Sequence, residues 1–146
     1  MAEAARAAGV TYIVEPLSRL DTGLMNTVEE ALTLIAEIGS PALSTMIDCY
    51  AAASNGEDVA TLLARWLPRN VVSHIHFNDD NKLGPGQGGI DFSAVIATLR
   101  AHGYAATAAV EPFIYEPDGA ASAARAIGYL HGIRQALDRK EQNGGQ

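Results

Sequence analysis

Cysteine, basic side chains and long apolar runs are all scarce in this 146-residue chain. The single cysteine, Cys49, excludes an intramolecular disulfide and makes a reducing cytoplasm the expected setting. Ten Lys and Arg against 17 Asp and Glu give a formal net charge of −7. A chain of that sign lacks the clustered cations that a nucleic-acid surface requires. No apolar run approaches bilayer length, which excludes a membrane partner. The first residues, Met1 to Gly9, carry Glu3 and no apolar stretch of the signal-peptide kind. Low-complexity segments and internal boundaries are absent too, so a single domain is expected over residues 1–140, with a disordered tail over 141–146. What remains is 48% hydrophobic and 18% charged, the balance of a soluble globular protein with a real core.

Four short apolar runs each stop at a residue able to bind a metal: Ile13-Val14 at Glu15, Met46-Ile47 at Asp48, His74-Ile75 at His76 and Ala109-Val110 at Glu111. Successive ligands are about 30 residues apart, the length of one strand plus a crossover helix. Between them lie helical signals. Thr27-Val28-Glu29-Glu30 is a capping-box pattern, and Val28, Ala31, Leu32, Ile35 and Ile38 keep helical spacing up to Gly39. Val59, Leu62, Leu63 and Trp66 share one face of a helix predicted from about Glu57 and stopped by Pro68. Asp91 caps a helix with Val95, Ile96 and Leu99 inward. A last helix, about 120–139, is expected to bury Ala123, Ile127, Leu130, Ile133 and Leu137. Residues 2–8 read as the end of an Ala-rich helix closed by Gly9.

The order (α)βαβαβαβα implies a parallel sheet, whose strand ends gather at one rim. Two Glu, one Asp and one His at one rim make a divalent-metal site with carboxylates to spare for proton transfer. A complete (β/α)8 barrel needs about 250 residues. The chain has four strand units and begins inside a helix without its own strand, so half a barrel is the natural reading.

Several segments in order make this specific: Glu15-Pro16-Leu17-Ser18-Arg19, Met46-Ile47-Asp48-Cys49-Tyr50, His74-Ile75-His76-Phe77-Asn78-Asp79, Gly84-Pro85-Gly86-Gln87-Gly88-Gly89 and Val110-Glu111-Pro112-Phe113. Together they resemble the sugar phosphate isomerase/epimerase family of xylose-isomerase-like TIM barrels, above all its ketose 3-epimerase branch. The resemblance covers nearly the whole chain but only the C-terminal half of that barrel. It implies an α/β fold of parallel βα repeats, half of a (β/α)8 TIM barrel (strands five to eight). It also implies that Glu15, Asp48, His76 and Glu111 bind one Mn²⁺, Co²⁺ or Mg²⁺ ion, with Glu15 and Glu111 doubling as an acid/base pair. Mixed carboxylate and imidazole ligation suits those ions on chemical grounds as well. Three positions depart from the family pattern. Ala51 stands where a substrate-binding His is usual, Lys82 replaces an Arg, and Asp21 replaces a Glu. Lys82, Asp21 and His74 are the substrate-side candidates; His74 shares a strand face with His76.

Competing readings of the same residues are plainer. Cys49 beside Asp48 has no partner base and reads as buried packing. His102 and His131 read as helix-surface residues, Asp79 and Asp80 as loop solvation. Gly84 to Gly89 fits G-x-G-x-x-G, but several residues separate it from the preceding strand and two acids would repel a pyrophosphate, which excludes a dinucleotide fold. It reads instead as a flexible rim loop. The function expected is a cytoplasmic, metal-dependent sugar isomerase or epimerase working through an enediolate on a small sugar. The alternatives are a catalytically incomplete half-barrel that only binds metal or sugar, and a relative of hydroxypyruvate isomerase or inosose dehydratase. Two open sheet edges predict a homodimer or other homo-oligomer.

Overall fold

A computed structural model of the protein describes residues 1–144. Helix α1 (Ala2–Ala8) leads into β1 (Tyr12–Val14), α2 (Val28–Ile38) and β2 (Leu43–Asp48). Two helices follow, α3 (Cys49–Ser54) and α4 (Val59–Trp66), then a 3₁₀ turn (Leu67–Arg69) and β3 (Val72–Phe77). The chain ends in α5 (Phe92–Ala101), β4 (Thr107–Val110) and α6 (Gly119–Gly144). The strands form one four-stranded sheet in the order β1-β2-β3-β4, parallel throughout. The predicted βα alternation is therefore the observed one. Among the described residues no helix is long and apolar enough to cross a membrane.

Local chemistry accounts for most element ends. The Thr27 hydroxyl accepts from the Glu30 amide while the Glu30 carboxylate accepts from the Thr27 amide, closing the reciprocal cap of α2. Asp58 and Asp91 cap α4 and α5 in the simpler way, each accepting from amides of the first turn. Gly9 and Gly39 close α1 and α2 at φ 65° and 68°, a region that costs glycine nothing. Pro16 and Pro112 directly follow Glu15 and Glu111; proline has no N–H to extend a ladder, and β1 and β4 stop before them.

The core lies on the helix-covered face of the sheet. Ile47, Ile75 and Phe77 pack with Val28, Leu62, Leu63, Trp66, Phe92, Val95 and Leu99. Among the described residues both outer strands are unpaired along one side, and exposed apolar residues flank them: Val10 and Tyr12 at β1, Phe113 to Tyr115 beyond β4.

Helix α3 was not foreseen: it has six residues and depends on a distant partner described below. Two expectations need correcting. On α6 the buried face is Ser122 and Ala126, with Leu130 and Ile133 against the core, whereas Ala123 and Ile127 are exposed. The glycine loop decides this, because a Cβ on Gly84 would meet Ala126 at 3.4 Å and one on Gly86 would meet the Tyr129 ring at 2.7 Å. Helix α6 also continues through 141–144, part of the segment expected to be a disordered tail; residues 145–146 lie outside the described residues.

Candidate metal centre

Strand order carries the four ligand candidates to one rim in sequence: Glu15 after β1, Asp48 at the end of β2, His76 in β3 and Glu111 after β4. Asp48 and His76 are register partners, and His76 pairs in turn with Ala109, two residues before Glu111. One donor atom from each of the four lies within 4.8 Å of the others. Nδ1 of His76 is 2.6 Å from Glu111 Oε2, 3.2 Å from Glu15 Oε1 and 3.5 Å from Asp48 Oδ2. The side chains of Asp48 and His76 are the deeper pair; Glu15 is one-third exposed and Glu111 nearly half.

Electrostatics favours a cation here. Three carboxylates face one ring nitrogen, which carries a single hydrogen to share. Among the described residues no Lys or Arg forms an ion pair with Glu15, Asp48 or Glu111. Burial pushes the His76 imidazole down, yet hydrogen bonding to Asp48 and Glu15 and the charge of Glu111 outweigh it and raise its pKa to about 10. Burial pushes the Glu111 carboxyl up, His76 pulls it back, and Glu15 and Asp48 push it further up. Three oxygens and one imidazole nitrogen form a donor set suited to Mn²⁺, Co²⁺ or Mg²⁺, so the residues present fit such an ion.

Substrate-side candidates surround this cluster. His74 meets His76 edge to face at 4.9 Å between ring centroids, and its Nδ1 lies 2.8 Å from the Thr107 hydroxyl. Burial, then the charge of His76, lowers its pKa. Lys82 Nζ is 3.7 Å from Asp21 and sits 4.8 Å above the Tyr50 ring, with Phe113 at 5.9 Å. Those two aromatics, in edge contact at 5.5 Å, stand in the segments quoted above with no role assigned to them there, although each lies two residues from a ligand candidate. Ala51 contributes through its backbone alone, its N–H donating to Asp48 Oδ1 at 2.7 Å.

Cys49 is fully buried; burial and the Asp48 charge push its thiol up, which keeps it unreactive. Asp79 is a correction. It is fully buried, and its two oxygens accept from the amides of Asp80, Gly86, Gln87 and Ile90. The segment expected to be a flexible, solvated rim loop is thus knitted around one carboxylate. Replacing Asp79 with Ala strands those donors and should destabilise the protein by about 2–4 kcal/mol, read from denaturant unfolding; a loss below about 0.5 kcal/mol would show that water replaces the carboxylate.

The chain matches the sequence profile described as "Xylose isomerase-like TIM barrel" over residues 1–133. It belongs to that family. It is 32% identical over 116 residues to L-ribulose 3-epimerase of Mesorhizobium japonicum, covering 80% of this chain and 38% of that one. It is 32% identical over 101 residues to 3-dehydro-D-guloside 4-epimerase of Escherichia coli, covering 69% of this chain and 37% of that one. A solved structure of L-ribulose 3-epimerase superposes with a TM-score of 0.83 at 25% identity, covering 99% of this chain and 54% of that one. The matched residues thus span under two fifths of these curated relatives, and nearly the whole chain superposes on about half of a solved relative. The half-barrel expectation agrees with both the sheet and the superposition.

Proposed function

We propose that the protein acts as a metal-dependent sugar epimerase on a small ketose, moving a proton at the carbon beside the carbonyl through an enediolate. The observation that carries this is the convergence of Glu15, Asp48, His76 and Glu111 donor atoms within 4.8 Å at the rim of a parallel sheet. The names of the relatives, epimerases of L-ribulose, D-psicose and 3-dehydro-D-guloside, support the reaction class. These four residues would hold Mn²⁺, Co²⁺ or Mg²⁺. Such an ion, when bound, supplies Lewis-acid stabilisation of negative charge developing on the substrate oxygens.

The chain's own residues do the rest. Glu15 and Glu111 stand at the two outer strands, so they reach the site from opposite sides. One removes the proton from the substrate carbon and the other delivers a proton to the opposite face, inverting the centre. Asp48, buried and accepting from the Ala51 amide as the cap of α3, keeps its position while charge moves. Lys82, held by Asp21 and the Tyr50 ring, and His74, held by Thr107, offer donors to substrate hydroxyls. Lys82 in place of a guanidinium gives a point charge rather than a planar fork, which suits a less rigidly oriented sugar.

The test is incubation with D-psicose, L-ribulose and related ketoses with Mn²⁺ and with EDTA, following the epimer by NMR. Epimer formed only with metal supports the proposal, and its absence with every ketose and metal sinks it. One observation favours a second reading, metal binding without turnover: Glu15 and Glu111 face an open inner surface that admits water.

Edge chemistry bears on that point. We propose that two copies associate, β4 of one beside β1 of the other, closing eight strands. Parallel pairing would bring both metal sites to the same rim and cover the apolar residues flanking the edges. Sedimentation equilibrium should give a dimer; a monomer at micromolar concentration would exclude this pairing.

A further inference from the structure

Asn78 follows β3 directly and is fully buried. Its Nδ2 donates to Asp48 Oδ2 at 2.7 Å and to the Glu111 carbonyl at 3.1 Å. Its Oδ1 accepts from the Tyr50 amide at 2.7 Å. Both amide hydrogens are thereby used, and the oxygen faces the first turn of α3. We infer that Asn78 is the positioning residue of the metal centre, holding Asp48 through its side chain and Glu111 through its backbone. This rests on the metal reading above.

The geometry carries the inference in two ways. Asp48 has two oxygens with separate tasks: Oδ1 caps α3 through the Ala51 amide, and Oδ2 turns toward His76. Asn78 is the neutral donor that keeps Oδ2 turned there, without the compensating charge a Lys or Arg would bring into the site. Glu111 sits beyond the end of β4, where the ladder has nearly run out. Its N–H donates to the Phe77 carbonyl at 3.1 Å and its carbonyl accepts from Asn78, so both backbone groups are tied to consecutive residues of the neighbouring strand. One carboxamide therefore links the second, third and fourth strand ends to α3. An Asp at this place would set a carboxylate against Asp48 and against a carbonyl. An apolar residue would leave the Tyr50 amide and the Glu111 carbonyl without partners.

The test compares wild type, Asn78→Ala, Asn78→Asp and, as a control for general destabilisation, Leu63→Ala in the core of α4. Each is titrated with Mn²⁺ and with Co²⁺, and the Co²⁺ visible spectrum is recorded at saturation. Loss of an orienting partner should weaken Mn²⁺ binding about 10- to 100-fold in Asn78→Ala. The Co²⁺ bands of both Asn78 variants should shift, whereas Leu63→Ala should lower the melting temperature with affinity and spectrum unchanged. Asn78→Asp keeps the shape and the Tyr50 acceptor, so it reports on positioning even if Asn78→Ala does not fold. Wild-type affinity and an unshifted spectrum in either folded Asn78 variant would overturn the inference while leaving the metal reading intact. A wild type that binds neither ion would overturn both.

Discussion

Replacing Glu111 with Gln should lower the rate of ketose epimerisation by about 10²- to 10⁴-fold, the usual contribution of a general acid or base. The substitution is nearly isosteric. The backbone of residue 111 stays tied to Phe77 and Asn78, and the side chain is nearly half exposed. The melting temperature should therefore move little, and the rate loss would report chemistry rather than unfolding. Saturating Mn²⁺ separates loss of the proton-transfer group from loss of a ligand. Exchange in D2O sharpens the point: with Glu15 still present, one of the two epimers should continue to exchange its proton at the reacting carbon although inversion is blocked. Turnover within about threefold of wild type at saturating metal would remove Glu111 from the acid/base pair.

Mn²⁺ should bind about a hundredfold more tightly at pH 8 than at pH 6, with one proton released per ion. In the metal-free protein His76 is pushed up to about 10, burial opposing the shift and the neighbouring carboxylates overcoming it. The imidazole is consequently protonated at both pH values, and an ion reaching Nδ1 must displace that proton. One displaced proton means a tenfold gain per pH unit. Calorimetry in buffers of different ionisation enthalpy counts the proton directly, and a flat affinity between these pH values would show that Nδ1 is not displaced. The stability of the metal-free protein runs the other way. The folded-state pKa is raised above the ordinary 6.5, so the stabilisation is fully present below pH 6.5, declines above it and is lost as pH rises through about 10. His76→Gln should abolish both slopes.

Much of this site was legible along the chain because its cues are local. Apolar runs ending in Glu15, Asp48, His76 and Glu111 needed only strand alternation and βα spacing to be read, and Thr27 with Glu30 needed only a three-residue offset. Helix α3 was not legible in the same way. Its Tyr50 amide is satisfied by Asn78, 28 residues further on, and no local pattern announces that bond. Asp79 and Asp80 look alike as neighbours and both turn toward the glycine loop, yet Asp79 is fully buried and accepts from four of its amides, whereas Asp80 is exposed and accepts from the Gly89 amide alone. Ala123 and Ile127 satisfied helical spacing as well as Ser122 and Ala126 do; the approach of Gly84 and Gly86 chose between the two faces.

By itself the sequence determined the alternation of strands and crossover helices, the parallel direction of the strands and the identity of the four residues at their ends, since each follows from rules acting over a few residues; the short helix α3 was the element it did not announce. Only the tertiary structure decided that those residues meet. Neighbouring strands lie about 4.8 Å apart, so a flat sheet of this order would hold its outer strands about 14 Å from each other. Here donor atoms from all four strand ends fall within 4.8 Å. Packing helices against one face curls the sheet toward the other, and long Glu side chains from the two outer strands close the remaining gap across the rim.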